Sequence, residues 1–421
     1  MKKLFVLVIA LVAAFTVTAC QKSEETLVIF QNKIEIDSVL STYAKAWGEA
    51  KGVKVEVKSC GGDTCAYGTQ ILAEFQSAKQ PDIFVIEGMG GYKVYEEKVL
   101  AFSGSEAWIA NTELEFKVNN KVYGFPVAVE GWGMAYNKSI LEAAFLHEGK
   151  SRTIASLENV SQAEYAEVFA AIQAYYTANN MTDYAVVSMA AGSGMTWVTG
   201  LHNFNGYLSA GLSYSDTTVI DKLNNGVTDD ARLSQLANWV ELLYQFAEPT
   251  ILTTGGYDEQ VGKFATGKAA FIHQGNWTDS SYADSTFEMG YLPHAVLTEG
   301  NDKIFIGAPS YYVINKDSKN ISAAKAFLED LAASAEGHDY MVNKANMVPA
   351  FNTVTLTPAT PLSAAVMQWN QAGKAYAWWQ NDMPSGFGMN TLGPIYGNFA
   401  SGTITKAQFI AQVKAEIAKL A

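Results

Sequence analysis

From Thr26 to Ile86 the chain alternates in a way that leaves few folds open. Thr26-Leu27-Val28-Ile29-Phe30 is a short apolar β-like run. Val39, Leu40, Tyr43, Ala44 and Trp47 then recur at helical spacing on one face. Gly52 ends that helix, and Val53-Lys54-Val55-Glu56-Val57 alternates as a strand does. Residues 68–78 read as a second helix, and Pro81-Asp82-Ile83-Phe84-Val85-Ile86 as a third, fully buried strand. Strand, helix, strand, helix, strand is the start of an open α/β sheet. Ligands of such sheets sit beyond the carboxyl ends of the strands. Three loops are therefore singled out: residues 31–33, 59–65 and 87–92.

The rest of the chain continues the mixture. Strands are expected at residues 121–126, 128–137, 269–272 and 307–315, and helices near 161–179, 230–246, 323–333 and 406–420. No internal repeat and no long linker interrupts them. About 400 residues is too long for one comfortable core and suggests two lobes, with the chain crossing between them more than once.

What precedes Thr26 is a leader. Lys2 and Lys3 give a basic start, an apolar run follows to Thr18, and Val17-Thr18-Ala19 puts small residues directly before Cys20. The run is too short for a membrane span and fits a secretory signal, residues 1–19, ending at a cysteine. Cys20 is expected to be lipidated, with residues 20–25 as a polar tether. The mature protein would then be anchored to the membrane from outside without spanning it. In that oxidising compartment Cys60 and Cys65 are expected to pair as a disulfide. The rival, a metal site, has two thiols and no nearby histidine to complete a tetrahedral shell.

Composition narrows the ligand. A formal net charge of -13 and the lack of any Lys/Arg-rich segment argue against nucleic acid. Arg152 and Arg232 are the only arginines, whereas aromatic residues make up 12% of the chain. Carboxylate and phosphate ligands usually meet arginine. Few arginines and many tryptophans suit a neutral, polar ligand with apolar faces, such as a sugar.

At this point Pro81-Asp82-Ile83-Phe84 before Gly90-Gly91-Tyr92, Tyr123-Gly124-Phe125-Pro126-Val127-Ala128-Val129-Glu130 and Gly267-Lys268-Ala269-Ala270-Phe271 form an ordered set. Gly307-Ala308-Pro309 and Met347-Val348-Pro349-Ala350 complete it. Behind a lipidation signal, the set resembles the extracytoplasmic carbohydrate-binding proteins of ABC importers, the family that includes maltodextrin-binding proteins. The resemblance implies an α/β, class II, two-lobe periplasmic-binding-protein-like fold with hinge strands and a cleft between the lobes. It divides the chain into residues 26–129 with 307–356, and residues 130–306 with 357–421. It implies a monomer that captures a sugar, expected to be an oligosaccharide, by lobe closure and delivers it to permease subunits in the membrane, with no catalysis and no cofactor. No P-loop for ATP is visible on this chain.

The resemblance also nominates residues. Glu130 matches a hinge-adjacent glutamate that accepts from sugar hydroxyls; the plainer reading is a hinge ion pair with a nearby lysine. Trp277 matches a tryptophan that stacks on the apolar face of a pyranose. Trp197 follows a glycine-rich loop that lacks the glutamate and aromatic of maltodextrin binders, which weakens a maltodextrin assignment. Asn205 is a polar candidate beside it, with loop capping as the equal alternative. Glu87 ends a buried strand, and Gly88, Gly90 and Gly91 would let backbone approach a ligand. Trp132, one of Tyr311 and Tyr312, one of Trp378 and Trp379, and the loop residues Gln31 and Lys33 complete the set, whereas Trp47 and Trp239 read as core.

Two rival functions stay open. An exported glycosidase needs two carboxylates flanking the scissile bond, which the spacing of Glu87 and Glu130 does not demand. The same scaffold could hold a cationic, peptide or metal solute instead of a sugar.

Overall fold

The computed structural model describes residues 26–61 and 65–421; the leader, Cys20 and the tether lie outside the described residues. In chain order the strands are β1 (Thr26–Gln31), β2 (Lys54–Ser59), β3 (Ile83–Ile86), β4 (Phe116–Val118), β5 (Lys121–Pro126) and β6 (Glu130–Asn137). They continue with β7 (Ala185–Ser188), β8 (Ala269–Gly275), β9 (Met289–Leu292), β10 (Ile304–Gly307), β11 (Tyr311–Ile314) and β12 (Ala375–Tyr376). Two sheets result, one in each lobe. The first has the order β2-β1-β3-β11-β5-β4, and the second β12-β10-β6-β8-β7 with β9 also on β6.

In the first sheet β1, β2 and β3 are parallel, as the strand–helix–strand opening requires. β11 runs antiparallel between β3 and β5 and so fills the middle of that sheet. In the second sheet β6 is the organising strand. β8 pairs along one edge, while β10 and β9 divide the other. The chain passes between lobes after Pro126, again between Gly307 and Tyr311, and a third time before the helix Pro361–Gln371. Val129 pairs with Val348, so two of these passages lie side by side.

Each sheet is buried by helices carrying an apolar stripe. Leu40, Ala44 and Trp47 of the helix Asp37–Lys51 cover the first sheet. Trp47 is 7% exposed and its Nε1 donates to Asp330 at 2.8 Å. In the second lobe the helix Gln162–Ala178 starts on a capping box formed by Ser161 and Glu164 and buries Tyr165, Phe169 and Ile172. Trp239, fully buried, packs on Tyr165 and Phe169.

Two local readings are revised by the fold. Residues 87–92, taken from sequence as a loop, are the start of a helix, Gly88–Tyr95, with Glu87 at its N-cap. The second helix is shorter than its pattern suggested and spans Tyr67–Glu74.

Cys60 and Cys65 form a disulfide, with Cα atoms 5.2 Å apart. Its backbone is tied to the end of β1, because Cys60 N donates to Gln31 O at 2.9 Å. Serine at both positions should cost roughly 2 kcal/mol, since a loop this short restricts the unfolded chain only modestly. Urea denaturation measures that loss. Faster amide exchange in residues 31–33 should accompany it, because those residues lean on the disulfide-closed loop.

Candidate ligand cleft

The first-lobe side of the cleft grows from the end of β1. Gln31 is 1% exposed and folds back on the next turn: its Oε1 accepts from Lys33 N at 2.6 Å and its Nε2 donates to Lys33 O at 2.8 Å. Gln31 Nε2 also donates to Ser59 Oγ, which donates onward to Asp37. These bonds fix the loop that aims Lys33 into the cleft. The Lys33 ammonium pairs with Glu130 at the start of β6, and Glu35 lies 3.7 Å away. Glu87 stands on the same side and accepts from Asn32 Nδ2 at 2.7 Å.

One ammonium among three carboxylates settles the local charge. Burial pulls the Lys33 ammonium down, but Glu130, Glu35 and Glu87 outweigh it and hold it above its ordinary value. Burial pushes Glu130 up against the opposing pull of Lys33. Glu87 is pushed up in the same way, although it is exposed to solvent along the cleft. Lys33 therefore stays charged and joins the lobes through Glu130. The hinge ion pair exists, and it engages Oε1 of Glu130; among the described residues nothing donates to the other oxygen. Lys33, Glu130 and Trp277 line one cavity of about 100 Å³ together with Ala128, Asn276 and Met347.

The opposite wall is aromatic. Trp277 follows β8 in the short helix Asn276–Tyr282, and its Nε1 donates to Gln274 Oε1 at 3.1 Å. The ring centroid of Trp197 lies 6.1 Å from that of Trp277, and that of Trp378 lies 6.4 Å from it with the two rings stacked. Between them stands His202, 4.9 Å from Trp277, 5.3 Å from Trp197 and 5.6 Å from Trp378. Burial, with help from His273 and Lys33, holds His202 well below its ordinary value, so it is a neutral ring. Sequence reasoning passed over His202. Its one signal was its place five residues after Trp197, too weak to choose it over the asparagines that follow.

His202 and its neighbours sit on a π-helical segment, Val198–Asn203, of a kind that recurs at functional sites. A chain of buried hydrogen bonds seats that segment. Trp239 Nε1 donates to His294 Nδ1 at 3.1 Å, His294 Nε2 meets His273 Nδ1 at 2.9 Å, and His273 Nε2 meets Val198 O at 3.2 Å. Only neutral imidazoles satisfy every link: each ring accepts on one nitrogen and donates from the other. Burial holds His273 down to about 4 and His294 well below its usual range. In the unfolded chain both take up a proton near pH 6.5. Protons therefore favour the unfolded chain between those values, and stability should fall as pH drops from about 6.5 toward about 4. Urea midpoints at pH 7, 6 and 5 test this; a His273→Gln variant should show a flatter profile.

Residues 32–346 match the family described as bacterial extracellular solute-binding protein. The chain belongs to that family. This solute-binding protein is 26% identical over 318 residues to a maltooligosaccharide ABC transporter solute-binding lipoprotein of Streptococcus pneumoniae, an alignment covering 74% of this chain and 69% of the relative. In structure it is similar to a Bacillus subtilis binding protein in an open conformation, with TM-score 0.72, 16% identity and coverage of 94% and 98%. It is also similar to the solute-binding protein RafE in complex with raffinose, with TM-score 0.70, 14% identity and coverage of 94% and 99%. These likenesses establish the two-lobe α/β fold. Among the described residues no helix is long and apolar enough to cross a membrane, and no group of three or more metal-ligating side chains occurs.

Several residues chosen from sequence lie elsewhere in the solute-binding protein. Trp132 is 1% exposed and stacks on Phe305 at 4.1 Å, so it is core of the second lobe behind His202. Asn205 is fully buried: its Nδ2 donates to Ala377 O at 3.0 Å and its Oδ1 accepts from Gln380 N at 3.0 Å. It holds the segment bearing Trp378 and Trp379, and the capping alternative describes it better than ligand contact. Gln31 likewise shapes its loop. Of the paired aromatics, Tyr312 is buried and Tyr311 half-buried against Phe116; Trp378 is buried against His202 and Trp379 half-buried. The indole N–H groups of Trp378 and Trp379 are buried without a hydrogen-bond partner among the described residues.

Proposed function

We propose that this protein captures a neutral sugar, an oligosaccharide, between its lobes and delivers it to the permease of an ABC importer. The observation that carries the reading is the cavity lined by Lys33 from the first lobe and by Glu130 and Trp277 from the second, with Trp197, His202 and Trp378 packed around Trp277. Aromatic planes pack on the C–H faces of a pyranose, and charged acceptors and donors bind its hydroxyls. A sugar hydroxyl can take the free oxygen of Glu130 without breaking its pair with Lys33. The names of relatives, a maltooligosaccharide lipoprotein and a raffinose-bound protein, support the ligand class.

In this reading residues 26–129 with 307–356 and residues 130–306 with 357–421 act as two half-sites, and closure of one on the other signals occupancy to the permease. Lipidation at Cys20 would keep a monomeric protein beside its membrane partner, and the sugar leaves chemically unchanged. A thermal-shift screen tests the proposal, using maltotriose, raffinose and chitotriose beside spermidine, a tripeptide and zinc. A ligand at a hundred times its dissociation constant stabilises by about 2.7 kcal/mol. A sugar response with the sugar recovered intact supports capture. Response to spermidine or the peptide alone would replace the ligand class, and hydrolysed sugar would make the protein a glycosidase.

A further inference from the structure

The glycines that open the helix Gly88–Tyr95 face protein, where sequence reasoning had them facing ligand. Gly88 has φ +54, and a Cβ built there would lie 2.6 Å from Asn381 Cβ and 2.8 Å from Asn381 O. A Cβ at Gly90 would lie 2.7 Å from Met383 O and 3.3 Å from Asn381 O. Between them Met89 N donates to Asp382 Oδ1 at 3.4 Å. The helix follows β3 and belongs to the first lobe. The facing loop is held mainly by the second: Asn205 accepts from Gln380 N, Asn224 Nδ2 donates to Asp382 O at 3.1 Å, and Met383 is buried in the second-lobe core, while Asn381 Nδ2 donates to Pro309 O at 2.8 Å in the passage between β10 and β11. The two lobes thus meet backbone to backbone at a place separate from the Lys33–Glu130 pair.

We infer that this contact is an inter-lobe latch that sets ligand affinity from outside the ligand site. Its link to affinity rests on the sugar-capture reading; its link to lobe geometry does not. A methyl at these positions would collide with residues 381–383, so a side chain here would oppose this approach of the two lobes. The latch also adjoins the cleft on both strands of chain, with Glu87 directly before Gly88 and Trp378-Trp379 directly before Gln380. Gly90 is the informative position. Its φ lies outside the left-handed region, and the three nearest atoms a methyl there would meet belong to residues 381–385. Alanine at 90 therefore presses first on the facing loop of the second lobe. Gly91 is the matched control, since a Cβ there would make ordinary contacts of 3.4–3.5 Å with Ile86 of the same lobe.

The test compares Gly90→Ala, Gly91→Ala and the unaltered full chain by small-angle scattering and by titration with raffinose and maltotriose. Gly90→Ala should raise the radius of gyration of the sugar-free protein and weaken binding of the recognised sugar at least tenfold. Gly91→Ala should change neither. A Gly90→Ala protein with unaltered radius and affinity overturns the latch. If neither sugar binds the unaltered chain, the sugar reading fails on that result, and the radius comparison decides the latch by itself.

Discussion

Replacing Trp277 by alanine is expected to weaken sugar binding roughly 30-fold or more, the effect of losing about 2 kcal/mol at a central aromatic contact. Among the described residues, Trp277 is the one tryptophan that lines the cavity shared with Lys33 and Glu130, and it is only partly buried. Its loss should therefore fall on affinity more than on folding. Trp277→Phe separates the two properties of the side chain: it keeps a flat ring and removes the N–H given to Gln274. Calorimetric titration with the sugar found in the screen gives the answer. Unchanged affinity in Trp277→Ala would remove this residue from the site and with it the main physical ground for a sugar.

Trp239→Ala should produce the largest loss of stability, about 3–5 kcal/mol, as expected when a fully buried tryptophan leaves a cavity. The same change orphans His294 Nδ1 and so starts to undo the hydrogen-bond chain that ends at Val198 O. Trp239→Phe fills most of the space and should cost about 1–3 kcal/mol, the penalty for an unsatisfied buried polar group. Urea denaturation reads both. Because Val198 opens the segment that carries His202, these variants should also bind sugar more weakly, and equal affinity in Trp239→Phe would uncouple the core chain from the cleft wall.

Much of the fold was legible because local period and order carry it. The opening alternation gave β1, β2 and β3 within a residue or two, and the cysteine spacing in an exported chain gave the disulfide. The cleft was legible only in part, since sites are assembled by contacts remote in sequence. Lys33 was chosen for its loop alone; its partner Glu130 lies at the start of a strand in the other lobe. Trp132 and Trp277 both enter the candidate set from sequence, yet one is β6 core and the other lines the cleft. His202, His273 and His294 form no recognisable spacing, and only the meeting of β8, the turn after β9 and a π-helical segment brings them together. Residues 88–92 misled because glycine discourages helices; their helix is stabilised by what packs on it, which no local pattern records.

The position of β11 has a consequence for the order of assembly. Synthesis and export both begin at the N-terminus, so β3 and β5 are present before the strand that must lie between them. Through that interval the first sheet has two open edges and no middle, a template for mispairing. The second sheet waits longer still for β12, near the end of the chain. Neither half can be completed from a contiguous stretch of polypeptide. A chain ending before Tyr311 therefore lacks the middle strand of one sheet and the edge strand of the other, and leaves both with unpaired backbone.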